Sequence, residues 1–543
     1  MGIKERLQGQ LNEEQYKAAI WTDTSSLILA WAGSGKTRTL TYKIAYLIRW
    51  LGFRTDQICA VTFTNKAANE MKTRLDGIAD DIKKVWLSWP YQFDHILFPW
   101  IWTFHSLFLK FLKIEIEKAN LWYNKNFGVY DDQESKSIVK KILKELKLED
   151  QLEVDKVKSF ISKQKSNGIL PETYKSYSDQ SNFNESYMVA VYKHYQKSLK
   201  SSNMLDFDDL LLIPYIIFRT DKETLRKRAN KFSFVMVDEA QDTNWIQFEL
   251  MSFLTKRDGG NITFIWDDFQ SIYRWRWALM DNFLNLKDYR PDIKMFKLQI
   301  NYRSRPHIIH ASNHIIKNNQ KQYQKEVVPH RDWNDKIAIL NHTDEVDEAR
   351  HVVELISKIK KDKDISWSDF AILYRKNALS NQFEQRLIME QIPYKIYWWH
   401  KFLDRKEVKD ILAYLRYINN PKDTVSMKRI INTPRRGISD DTIAKIEEYT
   451  SEHNLEIDEV MTNPIILKSL WIMPKAVESI RKFLQNINII RNSLPLQSPK
   501  QVIEAVINAF AYKQYLADTE WVNADDKIAN LWELINISLK YSL

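Results

Sequence analysis

At 543 residues, 44% apolar and 28% charged, the chain has the composition of a soluble globular protein. It is long enough for about three or four domains rather than a single core. One cysteine, Cys59, excludes an intrachain disulfide and a cysteine-based zinc site, and reads as a small buried hydrophobe on a strand in a reducing cytoplasm. No apolar run reaches the ~18 residues of a membrane span, the N-terminus lacks an apolar signal core, and a net charge of +10 favours a polyanionic partner.

Along the chain, Leu27–Leu29, Ile58–Phe63, Phe234–Val237, Ile262–Ile265 and Met295–Leu298 are short, largely apolar runs bounded by polar turns. Such runs suit the strands of a parallel sheet covered on both faces, so the fold class expected is α/β. From about 108 to 200 the pattern turns helical. Ile138, Val139, Ile142, Leu143 and Leu146 recur at helical spacing beside a face of Lys136, Lys140, Lys144 and Lys147. This block reads as a helical insertion. His307, His310 and His314 lie at helical spacing among Ile308, Ile309, Ile315 and Ile316, which predicts a partly exposed helix rather than a metal site. A second α/β unit starts near 300, with strands expected at Ile337–Leu340 and Phe370–Tyr374. The run Lys358–Asp364 reads as a solvated helix end, and the chain beyond about 390 as helical.

The chemistry starts at Ala30-Trp31-Ala32-Gly33-Ser34-Gly35-Lys36-Thr37, which follows the first strand and opens a helix. A glycine-rich turn there aims backbone N–H groups at phosphates. Lys36 is placed for the β/γ-phosphates and the Thr37 hydroxyl for Mg²⁺. Phe234-Val235-Met236-Val237-Asp238-Glu239 is a strand ending in adjacent carboxylates. Asp238 is placed to hold Mg²⁺ and Glu239 to deprotonate an attacking water. Phe63, His105, Tyr273 and Trp275 offer flat faces for base stacking, and Asn65, Arg274 and Arg276 suit phosphate contacts.

The ordered segments resemble the UvrD/Rep/PcrA family of superfamily 1 DNA helicases. They are Leu11-Asn12-Glu13-Glu14-Gln15, the phosphate loop, Val61-Thr62-Phe63-Thr64-Asn65-Lys66-Ala67-Ala68, Thr103-Phe104-His105-Ser106, Asp206-Phe207-Asp208-Asp209-Leu210, Asp238-Glu239-Ala240-Gln241-Asp242, Gln270-Ser271-Ile272-Tyr273-Arg274 and Asn301-Tyr302-Arg303-Ser304. Phe370–Arg375, Arg405–Asp410 and Pro434–Ile438 are similar to further signatures, so the resemblance spans essentially the whole chain.

The resemblance implies two RecA-like lobes with parallel sheets, ATP between them and single-stranded DNA across their top. The first lobe would take 1–107 and 200–300, with a helical insertion at 108–199. The second would start at 301–388, with its own insertion at 389–543. The implied roles are Gln15 reading the adenine edge and Tyr302 stacking on the base, with Ala32, Gly33, Ser34, Gly35, Lys36, Thr37 and Arg38 binding nucleotide. Thr37 and Asp238 would hold Mg²⁺, Glu239 would be the base, Gln270 the γ-phosphate sensor and Arg303 an arginine finger. Phe63, Thr64, Asn65, His105, Tyr273, Trp275 and Arg276 would meet DNA. The implied activity is an ATP-dependent 3′→5′ helicase or translocase in repair or replication, acting on single strands and 3′-tailed duplexes. It would be cytoplasmic, a monomer or weak dimer, with repair proteins as partners. The other readings are a nucleotide-gated DNA-binding protein without motor activity and a helicase subunit of a RecB- or AddA-like nuclease.

Two departures from the family pattern carry expectations of their own. The chain stops at Leu543 before the family's later motifs, so the second lobe is expected to be incomplete, the fragment to bind nucleotide weakly and not to translocate. Tryptophan (19) also outnumbers glycine (11), where average usage of about 7% glycine predicts roughly 38. Trp31, Trp102, Trp266, Trp277, Trp398 and Trp399 stand where the family has glycine, as expected if UGA codons read as glycine in the organism are decoded as tryptophan. Trp275 is the exception, an aromatic expected in its own right.

Overall fold

The computed structural model describes residues 9–83, 100–174, 183–255, 260–271, 286, 290–319, 326–332, 336–363, 365–375, 379–396, 403, 405–453, 455–519 and 524–539. The chain divides into two compact units, one of 1–333 with 410–543, the other of 334–409.

The centre of the first unit is a six-stranded sheet of β1 (Ser26–Ala30), β2 (Ile58–Thr62), β3 (Ile101–Thr103), β4 (Phe234–Val237), β5 (Asn261–Trp266) and β6 (Lys294–Leu298), in the order β3-β2-β4-β5-β1-β6. Every ladder is parallel. The five expected strands in this region are all present, within a residue or so of their predicted ends. The inner strands are largely apolar because alternate residues enter different cores, whereas the edge strand β6 keeps Lys294 and Lys297 exposed. Leu27 and Leu29 of β1 join Val61, Phe104 and Val237 on one face, while Ile28 and Ala30 join Leu40, Ala60, Met71 and Met236 on the other. Cys59 is buried in β2, and burial pushes its thiol up to about 12, as befits an inert core side chain.

The catalytic-side edge of the sheet is set by helices that start where strands end. Helix α1 (Glu13–Ile20) is capped by Asn12, whose side chain accepts from the Gln15 N–H while Gln15 Oε1 accepts from the Asn12 N–H. Helix α2 (Lys36–Arg49) starts at Gly35 with no side-chain cap, so its first amides are left for an anion. Helix α3 (Asn65–Lys83) follows β2, and α4 (Phe104–Glu115) follows β3 with Thr103 as its cap.

The helical block expected at 108–199 is present. Helix α5 (Asp132–Glu145) buries Ile138, Val139, Ile142 and Leu143 against α6 (Val154–Ser166) and α7 (Phe183–Ser201), with its lysine-rich face outward. It rejoins the sheet region through a charged core. Lys165 of α6 is fully buried and donates to Asp206 (2.9 Å) and Asp209 (2.8 Å), and Tyr195 also donates to Asp206 (2.9 Å).

The regular elements of residues 410–543 are all helices among the described residues, and they pack on this insertion. Arg416 donates to both oxygens of Glu134, Tyr130 donates to Asp423 (3.0 Å), and Asn420 donates to the Ser202 carbonyl (2.9 Å). Arg436 lies over the rings of Phe483 and Phe510 and donates to the carbonyls of Ile430 and Ile431.

The structure corrects one expectation. Residues 337–340 and 370–374 of the second unit form no strand, with Ile339 87% and Leu373 94% exposed. An apolar run becomes a strand only by pairing, and neither run has a ladder partner among the described residues. On the helix Pro306–Ile316 only Ile309 is buried, whereas Ile308 and Ile315 are exposed. The partly exposed helix expected at these histidines is therefore present. Among the described residues no helix is long and apolar enough to cross a membrane, and no His/Cys/Asp/Glu group is arranged to hold a metal by itself.

Candidate nucleotide site and nucleic-acid surface

The phosphate loop closes on itself at the carboxyl end of β1. The Ser34 hydroxyl donates to the Trp31 carbonyl (2.8 Å) and accepts from the Trp31 N–H (3.0 Å). Gly33 and Gly35 adopt φ +75° and +84°, conformations in which a β-carbon is strained. A Cβ at Gly33 would also lie 2.6 Å from that of Arg303. Trp31 has no positive φ, and its indole is buried against Ile309, Val327 and Phe269 rather than in the turn. The bulky residue that looked incompatible with the loop is therefore accommodated beside it.

Across the loop stands the end of β4. Lys36 Nζ lies 2.8 Å from Glu239 Oε2 and 3.8 Å from Asp267 Oδ2. Glu239 sits at φ +52°, in the left-handed region, a strained conformation of the kind concentrated at functional sites. Gln241 donates to the same Glu239 oxygen (2.7 Å) and accepts from the Asp267 N–H (3.0 Å). Gln270 donates to Asp267 Oδ2 (2.5 Å), so the expected γ-phosphate sensor is tied to the loop lysine through one carboxylate. Asp238 is buried beside them. Its burial, and then the neighbouring Glu239 charge, push its carboxyl up to about 6 against the pull of Lys36. A buried carboxylate so poorly compensated by the protein, with Thr37 in the first turn of α2, suits a hard divalent cation.

The remaining nucleotide residues converge on the same loop. Gln15 donates to the Ser34 carbonyl (2.8 Å), so both ends of its amide are engaged by the protein in this structure. Tyr302 accepts from Asn12 Nδ2 (2.8 Å), and its N–H donates to the Gly33 carbonyl (2.9 Å). Arg303 is exposed beside Gly33. Arg38 is turned to Gln10 (2.9 Å). Sequence reasoning had not placed Asp267, Gln241 or Asn301 in the site. Asp267 at a strand tip was a readable signal, whereas the other two act only through folded contacts.

On the neighbouring strand ends, Thr64 and Asn65 are exposed at the start of α3 and Phe63 is half-buried against Phe104. His105 is half-buried, its ring centre 5.0 Å from that of Phe207 and tilted 50° to it; Phe207 is 58% exposed and was not among the expected DNA residues. Tyr273, Arg274, Trp275, Arg276 and Trp277 lie outside the described residues, as do Trp398 and Trp399.

A phosphate loop opening from a parallel sheet onto an Asp-Glu strand end defines a P-loop nucleotide-binding protein, in the manner of RecA-like enzymes. The UvrD/REP helicase N-terminal domain matches residues 11–291, and the UvrD-like helicase C-terminal domain matches residues 296–541. The chain belongs to the UvrD/Rep helicase family. It is 31% identical over 540 residues to the ATP-dependent DNA helicase PcrA of Leuconostoc citreum, covering 99% of this chain and 69% of that protein. It is 33% identical over 544 residues to PcrA of Bacillus subtilis, covering 99% and 70%. To the ATP-dependent DNA helicase Rep of Buchnera aphidicola subsp. Baizongia pistaciae it is 36% identical over 506 residues, covering 93% and 72%. The expectation that the second lobe is incomplete is not supported, because the C-terminal domain match runs to residue 541.

Proposed function

We propose that this chain is an ATP-dependent DNA helicase that moves 3′→5′ on single strands in repair or replication. The observation that carries the nucleotide chemistry is the Lys36–Glu239 contact, which brings the phosphate loop and the strand-end carboxylates into one site. The relatives named as ATP-dependent DNA helicases support ATP and DNA as its ligands. The direction of travel rests on the family resemblance.

The geometry supports an order of events. Lys36 and Gln241 hold Glu239 Oε2 before nucleotide arrives. A triphosphate entering the loop draws Lys36 to its β/γ-oxygens and frees Glu239 to take a proton from water. The water oxygen forms the new bond to the γ-phosphorus as the bond to the β-bridging oxygen breaks. Asp238 and Thr37 would hold Mg²⁺, which neutralises phosphate charge when bound. Arg303, whose Cβ lies beside Gly33, would stabilise the charge on the transferring group. The exposed strand ends carrying Phe63, Thr64, Asn65 and His105 would stack and track the single strand.

The test is ATP turnover with and without single-stranded DNA. Stimulation that Lys36→Ala abolishes supports the reading, and turnover indifferent to DNA overturns the motor.

A further inference from the structure

We propose that Asn301 is a positioning residue that locks the Arg303 backbone to the phosphate loop. It is buried, and every polar atom of its side chain spans the same junction. Its Nδ2 donates to the Ala32 carbonyl inside the loop (2.7 Å). Its Oδ1 accepts from the backbone N–H groups of Arg303 (2.9 Å) and Ser304 (2.8 Å). The adjacent Tyr302 N–H reaches the Gly33 carbonyl (2.9 Å), and the Asn301 carbonyl accepts from the His330 N–H (3.0 Å). One amide thus fixes both the loop that receives the phosphate and the segment that presents the arginine. An amide is the chemical group this junction requires, since one end must donate to a carbonyl while the other accepts from two amides.

The proposal rests on the reading of Arg303 as a residue acting on the transferring phosphoryl group. Asn301→Asp separates the two halves of the clamp. The carboxylate still accepts from Arg303 and Ser304 but faces the Ala32 carbonyl with a second acceptor. In the full chain, Asn301→Asp and Asn301→Ala are expected to lower kcat for ATP hydrolysis about tenfold or more, with ATP KM shifted less than about threefold. On an Arg303→Ala background, Asn301→Asp is expected to add less than about twofold, because both changes disable one device. Retention of kcat by Asn301→Asp while Arg303→Ala loses it overturns the clamp and leaves the arginine reading intact. Full additivity of the two changes also overturns it. Turnover of the unsubstituted chain no greater than that of Lys36→Ala overturns the clamp and the hydrolase reading together.

We infer separately that Trp122 and Trp471 are glycines in the organism, encoded by UGA. Both have left-handed backbone, at φ +67° and +55°, and their side chains are 91% and 89% exposed. Trp471 follows the helix Pro464–Ser469 at a position with a defined chemistry. Its N–H donates to the Lys468 carbonyl and the Ile472 N–H to the Leu467 carbonyl, the Schellman arrangement in which glycine is the usual residue. Gly168, at φ +72°, holds the equivalent position after α6. Lys147 and Gln391 fill it elsewhere with flexible polar side chains. An exposed indole gains neither packing nor solvation to offset the strain. These two positions carry the structural signature, whereas Trp31, Trp102 and Trp266 have ordinary backbone. The test reads the gene at codons 122 and 471 together with the masses of the tryptic peptides Ala119–Lys125 and Ser469–Lys475 from native cells. UGA codons and glycine masses are expected, and UGG codons or tryptophan masses overturn the inference.

Discussion

Glu239 is held by two donors on one carboxylate oxygen, and its backbone is in the left-handed region. Replacing it with Gln keeps the shape and removes the base. Turnover of ATP is expected to fall about 10²–10⁴-fold, with nucleotide binding retained within a few-fold, as checked by hydrolysis rates beside equilibrium binding of a fluorescent nucleotide. Lys43 presents a different kind of constraint. It is fully buried on α2, donates to the carbonyls of Ala18 and Trp21 at the end of α1, and burial pushes its amine down to about 7 from 10.5. Above about pH 7 the folded amine is neutral while the unfolded one still binds a proton, so stability from this group rises from about pH 7 to 10.5. Lys43→Met is expected to remove that slope, read from chemical denaturation across the pH range. A slope unchanged by the substitution refutes the assignment.

At the scale of elements, five of the six strands of the sheet were legible because burial on both faces makes a parallel strand largely apolar. Ile337–Leu340 and Phe370–Tyr374 carry the same pattern and form no strand, because pairing is a property of neighbours and not of composition. The junction between the helical insertion and the sheet was legible as a motif, Asp206-Phe207-Asp208-Asp209, but not as a charged core. Burial raises the carboxylates there, yet Lys165 and Lys158 outweigh it at Asp206 and hold that group below its usual range. Burial leaves Asp209 up at about 6, and Lys165 itself is held above its ordinary value by both aspartates despite its burial. Lys165→Met would leave these acids buried without their cation, and is expected to destabilise the chain by about 3–5 kcal/mol in urea denaturation. A loss under about 1 kcal/mol would show that the cluster is solvated or rearranges.

For the whole molecule, the expected behaviour is that of a motor on a charged track. Unwinding of a 3′-tailed duplex with ATP, and its absence on a 5′-tailed duplex, is the result expected, and the reverse preference contradicts the proposed direction. Binding to single strands should weaken steeply as salt rises, because phosphate contacts release counterions.

Five of the six sheet strands, the phosphate loop, the Asp238-Glu239 strand end and the family could be read from residue order alone, because each is a local pattern of residue types at short spacing, whereas the three-residue strand Ile101–Thr103 is too short to show one. It took the folded chain to show that Asp267 and Gln241 flank Lys36 and Glu239, that Asn301 joins the loop to the Arg303 segment, and that Trp31 is buried on ordinary backbone whereas Trp471 is left-handed and exposed. Contacts between residues 269 positions apart, like that of Asn301 with Ala32, leave no periodicity to read. Backbone handedness likewise belongs to the folded chain and not to the letter that stands there.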